Sequence, residues 1–150
     1  MGRYYVDSSA LVKRYHQESR SSDVESLFNE PDGRFLISRL ALVEVHSTFA
    51  RLVREGTLDE PQFKKVVARL AADVAARLLT VAALSARRLE DAARILSTVG
   101  LTGSVRTLDA IHLATAQALN NRTSLAGFAA ADKKMIAAAT ASGLKVIDLS

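Results

Sequence analysis

The sequence contains no cysteine and no tryptophan, and only two prolines and seven glycines in 150 residues. The missing thiols exclude a disulfide framework, thiolate zinc sites and a cysteine nucleophile, and they make a reducing cytoplasm the expected location. Aromatic residues amount to 5%, too few for a protein that reads single strands mainly by stacking bases on rings. No window approaches about 18 uncharged apolar residues, because Asp73, Arg77, Arg87, Glu90 and Asp91 cut the alanine-rich stretches. No membrane span is therefore expected. The opening MGRYYVDSSALVKRYHQ interrupts its apolar content at Asp7, Lys13 and Arg14, which argues against a signal peptide.

What is present suits one globular domain over residues 1–150, with 49% hydrophobic residues. A chain of this length removes roughly 68–70% of its unfolded surface from water, enough for a core without staples. The 20 Lys and Arg against 16 Asp and Glu leave a net charge of +4. A polyanionic partner is permitted, but the excess is too small to argue for one alone.

Short β-prone runs alternate with longer helical stretches, the signature of an α/β fold with a mostly parallel sheet. Strands are expected at Tyr4 to Val6, Phe35 to Ile37, Leu79 to Val81, Ser124 to Phe128 and Lys145 to Ile147. That makes a sheet of four or five strands in an α/β/α sandwich. Helices are expected over 8–17, over 22–29 behind a Ser22 to Glu25 capping box, from Ser38 to about Arg54, and from Asp59 and Pro61 to about Arg77. Three more are expected over 85–98, 107–119 and 132–141, with Gly100 to Gly103 flexible and Gly56 and Gly143 as stops.

Most acids lie in polar surroundings and read as solvated, Glu18 and Asp59 among them. A few interrupt apolar runs, where an ionised carboxylate costs heavily unless it is paired, hydrogen-bonded or metal-bound. Asp7 directly follows the first strand, and ligands of open parallel sheets bind at the carboxyl ends of strands. It also suits the N-cap of the next helix. Asp132 has the same placement and the same two readings. Glu44 shares a mixed stripe with Leu40, Ala41, Ser47, Thr48 and Arg51, which leaves a solvated face open. Asp109 has Val105, Leu113 and Ala116 on its side of a helix, with Arg106 and His112 three residues away. Asp73, with Arg69 and Arg77 four residues to either side, reads as a surface ion-pair position, and Asp148 as a terminal surface acid.

The glycine-rich phosphate loops, the G-x-S-x-G elbow and H-E-x-x-H are all missing. His16 is expected on the surface. His112 is expected to satisfy a buried hydrogen bond, with a ligand or catalytic role as the alternative.

Four segments in order, YYVDSSALVKRY, SRLALVEVHSTFAR, RTLDAIHLATA and AAADKKMIAAATASGLKVIDL, together resemble a PIN-domain ribonuclease. The likeness is closest to the VapC-type toxins of bacterial toxin–antitoxin pairs, and it covers essentially the whole chain. One departure is Ala130, where the family often has threonine. The resemblance implies that Asp7, Glu44, Asp109 and Asp132 converge at one end of a parallel sheet. Clustered carboxylates repel unless cations neutralise them, and an all-oxygen site favours Mg²⁺ or Mn²⁺ over zinc. The implied activity is metal-assisted hydrolysis of RNA phosphodiester bonds. In it Asp7 and Asp109 are direct ligands, Glu44 is a ligand or orients the attacking water, and Asp132 completes a second site. Ser9 is expected to support the first acid.

Lys13, Arg14, Arg39, Arg51, Lys133 and Lys134 lie near the acid-bearing segments and are candidates to draw RNA toward them. The likeness further implies a homodimer and a small antitoxin that covers the acidic site. Apolar residues on the helix from Arg39, such as Leu42, Val45, Phe49 and Val53, suit either core packing or such a partner. Three rivals remain at this level: a non-catalytic PIN-like module that binds RNA or a partner, a DNA-directed nuclease with the same site, and a receiver-like phosphoacceptor. The last is poorly served by Lys145, which stands at the start of its strand.

Overall fold

Each short apolar run becomes a strand and each longer periodic stretch a helix in the computed structural model, which describes residues 2–150. The order is β1 (Arg3–Val6), α1 (Ser8–Tyr15), α2 (Ser21–Phe28), β2 (Arg34–Ser38), α3 (Arg39–Arg54), α4 (Glu60–Ala75) and β3 (Leu79–Ala82). It continues with α5 (Ala86–Leu96), a 3-10 turn (Val99–Leu101), α6 (Thr107–Arg122), β4 (Gly127–Ala130), α7 (Lys133–Ala141) and β5 (Val146–Asp148). All five strands are parallel, in the order β3-β2-β1-β4-β5. No helix is long and apolar enough to cross a membrane among the described residues.

The side-chain period of two in β1 divides the core. Tyr4 and Val6 join a cluster with α1 to α4, including Leu11, Val24, Val45, Phe49 and Leu70. Tyr5 joins the opposite cluster with residues of α5, α6 and α7, where its ring stacks on Phe128 at 5.2 Å. Helices on both faces of a parallel sheet give the expected three layers. The strand order reverses beside β1, because β2 and β3 follow on one side while β4 and β5 lie on the other. The crevice between β1 and β4 at their carboxyl ends is therefore the topological switch point.

The helix boundaries follow local chemistry. Ser38 caps α3 by accepting from Leu40 N at 3.1 Å. Asp59 and Gln62 form a reciprocal capping box on α4. Gly56 (φ 74°) and Gly143 (φ 79°) take the left-handed conformation past the ends of α3 and α7, where a Cβ would be strained.

Several expectations fail for identifiable reasons. The capping box at Ser22 is absent: α2 begins one residue earlier behind a left-handed Arg20, with no side-chain cap. Helix α6 runs to Arg122, and Asn120 Oδ1 then accepts from Leu125 N, so β4 starts at Gly127 rather than Ser124. Its GFAA sequence has little intrinsic strand preference. Burial of all four residues between two helical layers overrides that. Gly100 and Leu101 belong to the 3-10 turn, and Thr102 and Gly103 follow it. On α3, Val45 and Phe49 are core residues with Leu42 packed beside them, whereas Val43 is 65% exposed.

Asp73 is not a surface partner of Arg69 and Arg77. Its Oδ2 accepts from Arg14 Nε at 3.0 Å and Tyr15 OH at 2.7 Å, joining α1 to α4. Arg14 also lies over the Phe28 ring at 4.5 Å. Burial opposes ionisation of Asp73, but the Arg14 and Tyr15 contacts outweigh it and hold the carboxyl below its ordinary value. Asp73→Ala leaves a half-buried guanidinium and a hydroxyl without their acceptor. It should lower unfolding stability by about 2 kcal/mol in a urea titration with unchanged slope, while Arg77→Ala should change it by less than about 0.5 kcal/mol.

Candidate active site

Backbone geometry brings acids into the switch-point crevice from four segments. Asp7 follows β1 and caps α1, Asp109 stands in the first turn of α6, and Asp132 caps α7. Glu44 arrives from the second turn of α3. All four line one cleft of about 310 Å³, together with Ser9, Glu18, Thr48, Arg106 and His112. The mixed stripe of Glu44 and Thr48 is thus a cleft wall rather than a solvated face.

The cap reading and the site reading of these aspartates prove compatible, because each cap uses one carboxylate oxygen. Asp7 Oδ2 accepts from Ser9 N at 3.2 Å and Ser9 Oγ at 2.6 Å. Asp109 Oδ2 accepts from Arg106 N at 3.0 Å, and Asp132 Oδ1 from Met135 N at 2.9 Å. Three helix N-termini face the cleft, and their partial positive charge favours carboxylates there. Asp7 Oδ1, by contrast, is buried without any hydrogen-bond partner.

Ser9 ties two acid-bearing segments together. Its hydroxyl donates to Asp7 and accepts from Ala131 N at 3.0 Å and Asp132 N at 3.3 Å. The ends of β1 and β4 are held in register by one side chain.

His112, fully buried, forms the cleft floor. Its Nδ1 meets Tyr5 OH at 2.7 Å, its Nε2 hydrogen-bonds Glu44 Oε1, and Asp7 Oδ1 lies 3.7 Å from Nδ1. The expected buried hydrogen bond is there, to Glu44, with Asp7 nearby but beyond hydrogen-bond distance. Burial disfavours charge on His112, but the Glu44 hydrogen bond and the Asp7 and Glu44 charges outweigh it, so its pKa stands above the ordinary value. Burial pushes the Asp7 carboxyl up, against opposition from His112 and Ser9. The phenol of Tyr5 is pushed far up by burial and by the Asp7 and Glu44 charges, so it remains neutral.

The donor set fits a hard divalent cation: it is all carboxylate oxygen, and one buried oxygen is met by no donor of the chain. Asp7, Glu44, Asp109 and Asp132 are the residues that would hold it. Among the described residues, no three His, Asp or Glu stand close enough together to grip an ion as arranged. Glu44 is occupied by His112 and Asp109 by Arg106.

The basic candidates separate into two groups. Lys13 is buried and donates to Ser19 O at 2.7 Å, and Arg14 is locked on Asp73. Neither is free to meet a phosphate. Arg51 pairs with Glu55 on the surface, while Arg39, Lys133 and Lys134 are exposed. Two cleft residues escaped the sequence reading. Glu18 lies in a polar loop that gave no signal, and Arg106, an exposed guanidinium 3.6 Å from Asp109, was visible only as a neighbour of that acid.

The architecture is a doubly wound α/β sandwich with a carboxylate-lined crevice at its switch point. The chain belongs to the PIN domain family, whose profile matches residues 4–140. Solved structures with the same fold include the Mycobacterium tuberculosis VapC20, described as a Sarcin-Ricin loop cleaving toxin, at 18% identity and TM-score 0.67, covering 90% of this chain and 94% of that one. FitAcB from Neisseria gonorrhoeae is 16% identical with TM-score 0.68, covering 97% of each chain. VapBC2 from Rickettsia felis, bound to a DNA fragment from its promoter, is 16% identical with TM-score 0.62, covering 97% and 98%. No curated protein sequence matches the chain.

His112 and Asp7 both bind protons more tightly folded than unfolded, so stability falls as pH rises through each folded pKa. For His112 the window opens near its ordinary value of 6.5 and extends upward. Thermal unfolding of metal-free protein should therefore show a melting temperature that declines above about pH 6.5. His112→Gln should melt lower throughout and lose that decline; an equal decline in the variant would contradict the assignment.

Proposed function

We propose that the protein is a divalent-metal-dependent endoribonuclease of the VapC toxin type, working in the cytoplasm as a homodimer under the control of a small antitoxin. The observation that carries this reading is the buried Oδ1 of Asp7, without a hydrogen-bond partner, in a cleft with four further carboxylates, Glu18, Glu44, Asp109 and Asp132. Membership of the PIN family supports nuclease chemistry. The similar folds of an RNA-cleaving toxin and of VapBC2 support the toxin–antitoxin setting.

Asp7 and Asp109 would hold the cation, Mg²⁺ or Mn²⁺, with Asp132 as a further ligand. The chemistry supplied by a bound cation is a more acidic water and neutralisation of charge at the scissile phosphate. Glu44 would orient the attacking water or accept its proton, and the hydrogen bond from His112 would keep that carboxylate oriented. Ser9 fixes the spacing between Asp7 and Asp132. Arg106, Arg39, Lys133 and Lys134 face solvent around the acid-bearing elements and draw the phosphate backbone in, which makes affinity fall with salt.

The second reading, a non-catalytic PIN-like module, is favoured by one observation: the chain's own donors already occupy Glu44 and Asp109. Metal dependence separates the two. Purified protein given structured RNA should cleave it only with Mg²⁺ or Mn²⁺, and Asp7→Asn or Asp109→Asn should reduce the rate about a hundredfold or more. Full cleavage by either variant would overturn the site, and absence of both metal binding and cleavage in folded, antitoxin-free protein would favour the binding module.

A further inference from the structure

A cleft larger than the acidic one opens elsewhere on the protein. It is a groove of about 510 Å³ between α5 and α6, bordered by Arg87, Arg88 and Arg94 from α5 and by Arg122 and Asn121 from α6. Asp91 is its sole acid. Four guanidinium groups against one carboxylate leave three positive charges in excess.

The groove is ordered by its own contacts. Asp91 binds Arg88 NH1 at 2.8 Å with one oxygen and Arg94 NH2 with the other. Arg88 also reaches Ala114 O across the helix pair at 3.5 Å. One carboxylate thereby fixes two guanidinium groups in the groove while neutralising only one. Arg87 and Arg122 make no ion pair or side-chain hydrogen bond among the described residues. Planar forks held in place match phosphate oxygens, and several along one groove suit a polymer of phosphates rather than a single anion. Apolar anchors for an acidic protein are scarce, since Ile95 is already buried in the core and no aromatic residue borders the groove.

This groove is separate from the cleft. Residues Ala114 to Arg122 lie between about 8 and 20 Å along the α6 axis from Asp109, and on a different side of the helix. A strand that only fills the cleft would not span that distance, whereas a folded RNA is large enough to.

We infer that the α5–α6 groove is an RNA exosite that grips backbone phosphates remote from the scissile bond and so selects folded RNA over short single strands. The inference rests on the nuclease reading for its kinetic consequence, but the binding itself does not require catalysis.

The test compares wild type with Arg87→Glu/Arg122→Glu, after thermal unfolding shows both folded. Cleavage is followed on bulk transfer RNA and on a short oligonucleotide spanning a mapped cleavage site. The expected result is a KM about tenfold higher for transfer RNA with kcat unchanged, and both constants unchanged for the oligonucleotide. Direct binding of labelled transfer RNA is measured in the Asp7→Asn background without metal. There the two substitutions should weaken binding about tenfold and reduce the slope of log K against log salt by about 2. Equal effects on both substrates, or none on transfer RNA, would overturn the exosite. Loss of polyglutamate binding with transfer RNA binding intact would overturn it in favour of an acidic protein partner. If wild type cleaves nothing, the nuclease reading fails while the binding measurement still decides the groove.

Discussion

His112 sits where a tyrosine from β1, a glutamate from α3 and the aspartate that ends β1 come together, and the arrangement of the crevice depends on it. Placing carboxylates side by side in a partly buried cleft is unfavourable unless positive charge or oriented dipoles offset their repulsion. In this protein the offset is divided. His112 binds Glu44 and stands near Asp7, three helix N-termini face Asp7, Asp109 and Asp132, and Arg106 lies beside Asp109. One oxygen, Asp7 Oδ1, accepts no hydrogen bond, His112 Nδ1 standing 3.7 Å from it. A fully structural set of caps would have no reason to bury a carboxylate oxygen in that condition, since an unmet buried acceptor costs about 1–3 kcal/mol.

The fold supplies the remaining constraint. A parallel sheet that winds outward in both directions from β1 opens a crevice beside that strand. The tyrosine pair of β1 commits one ring to each core, so Tyr5 carries its hydroxyl to His112 while Tyr4 packs against Phe35 on the other face. Ser9 then bridges the ends of β1 and β4. The acids are displayed by rigid elements that two separate hydrophobic clusters hold in place, which is how a site keeps its geometry without its ligand.

Much of this was legible in the residues. Strand-end aspartates followed by helical stretches mark Asp7 and Asp132, and an acid in an otherwise apolar helix marks Asp109. The cap and the site are not exclusive alternatives, since a carboxylate has two oxygens and can serve both. Other features lie beyond sequence periodicity. The ion pair of Asp73 with Arg14 joins residues 59 positions apart, and the nearer arginines on the same helix gave a misleading local answer. GFAA is a strand only because helices cover both its faces. Glu18 enters the cleft through a loop whose path no local pattern specifies. The Asp91 clamp on Arg88 and Arg94 is local, but the wall supplied by Arg122 is set by the packing of α6 against α5.

The central claim is that the unpartnered oxygen of Asp7 is a cation ligand. Calorimetric titration of Mn²⁺ into metal-free protein, wild type beside Asp7→Asn, tests it without any assumption about substrate. Asparagine preserves the shape and the capping ability of the residue, so the variant should fold. The account predicts saturable binding in the wild type, with a raised melting temperature, and affinity at least about tenfold weaker in Asp7→Asn, a difference of about 1.4 kcal/mol. Equal binding by both proteins, or none by folded wild type, would contradict it.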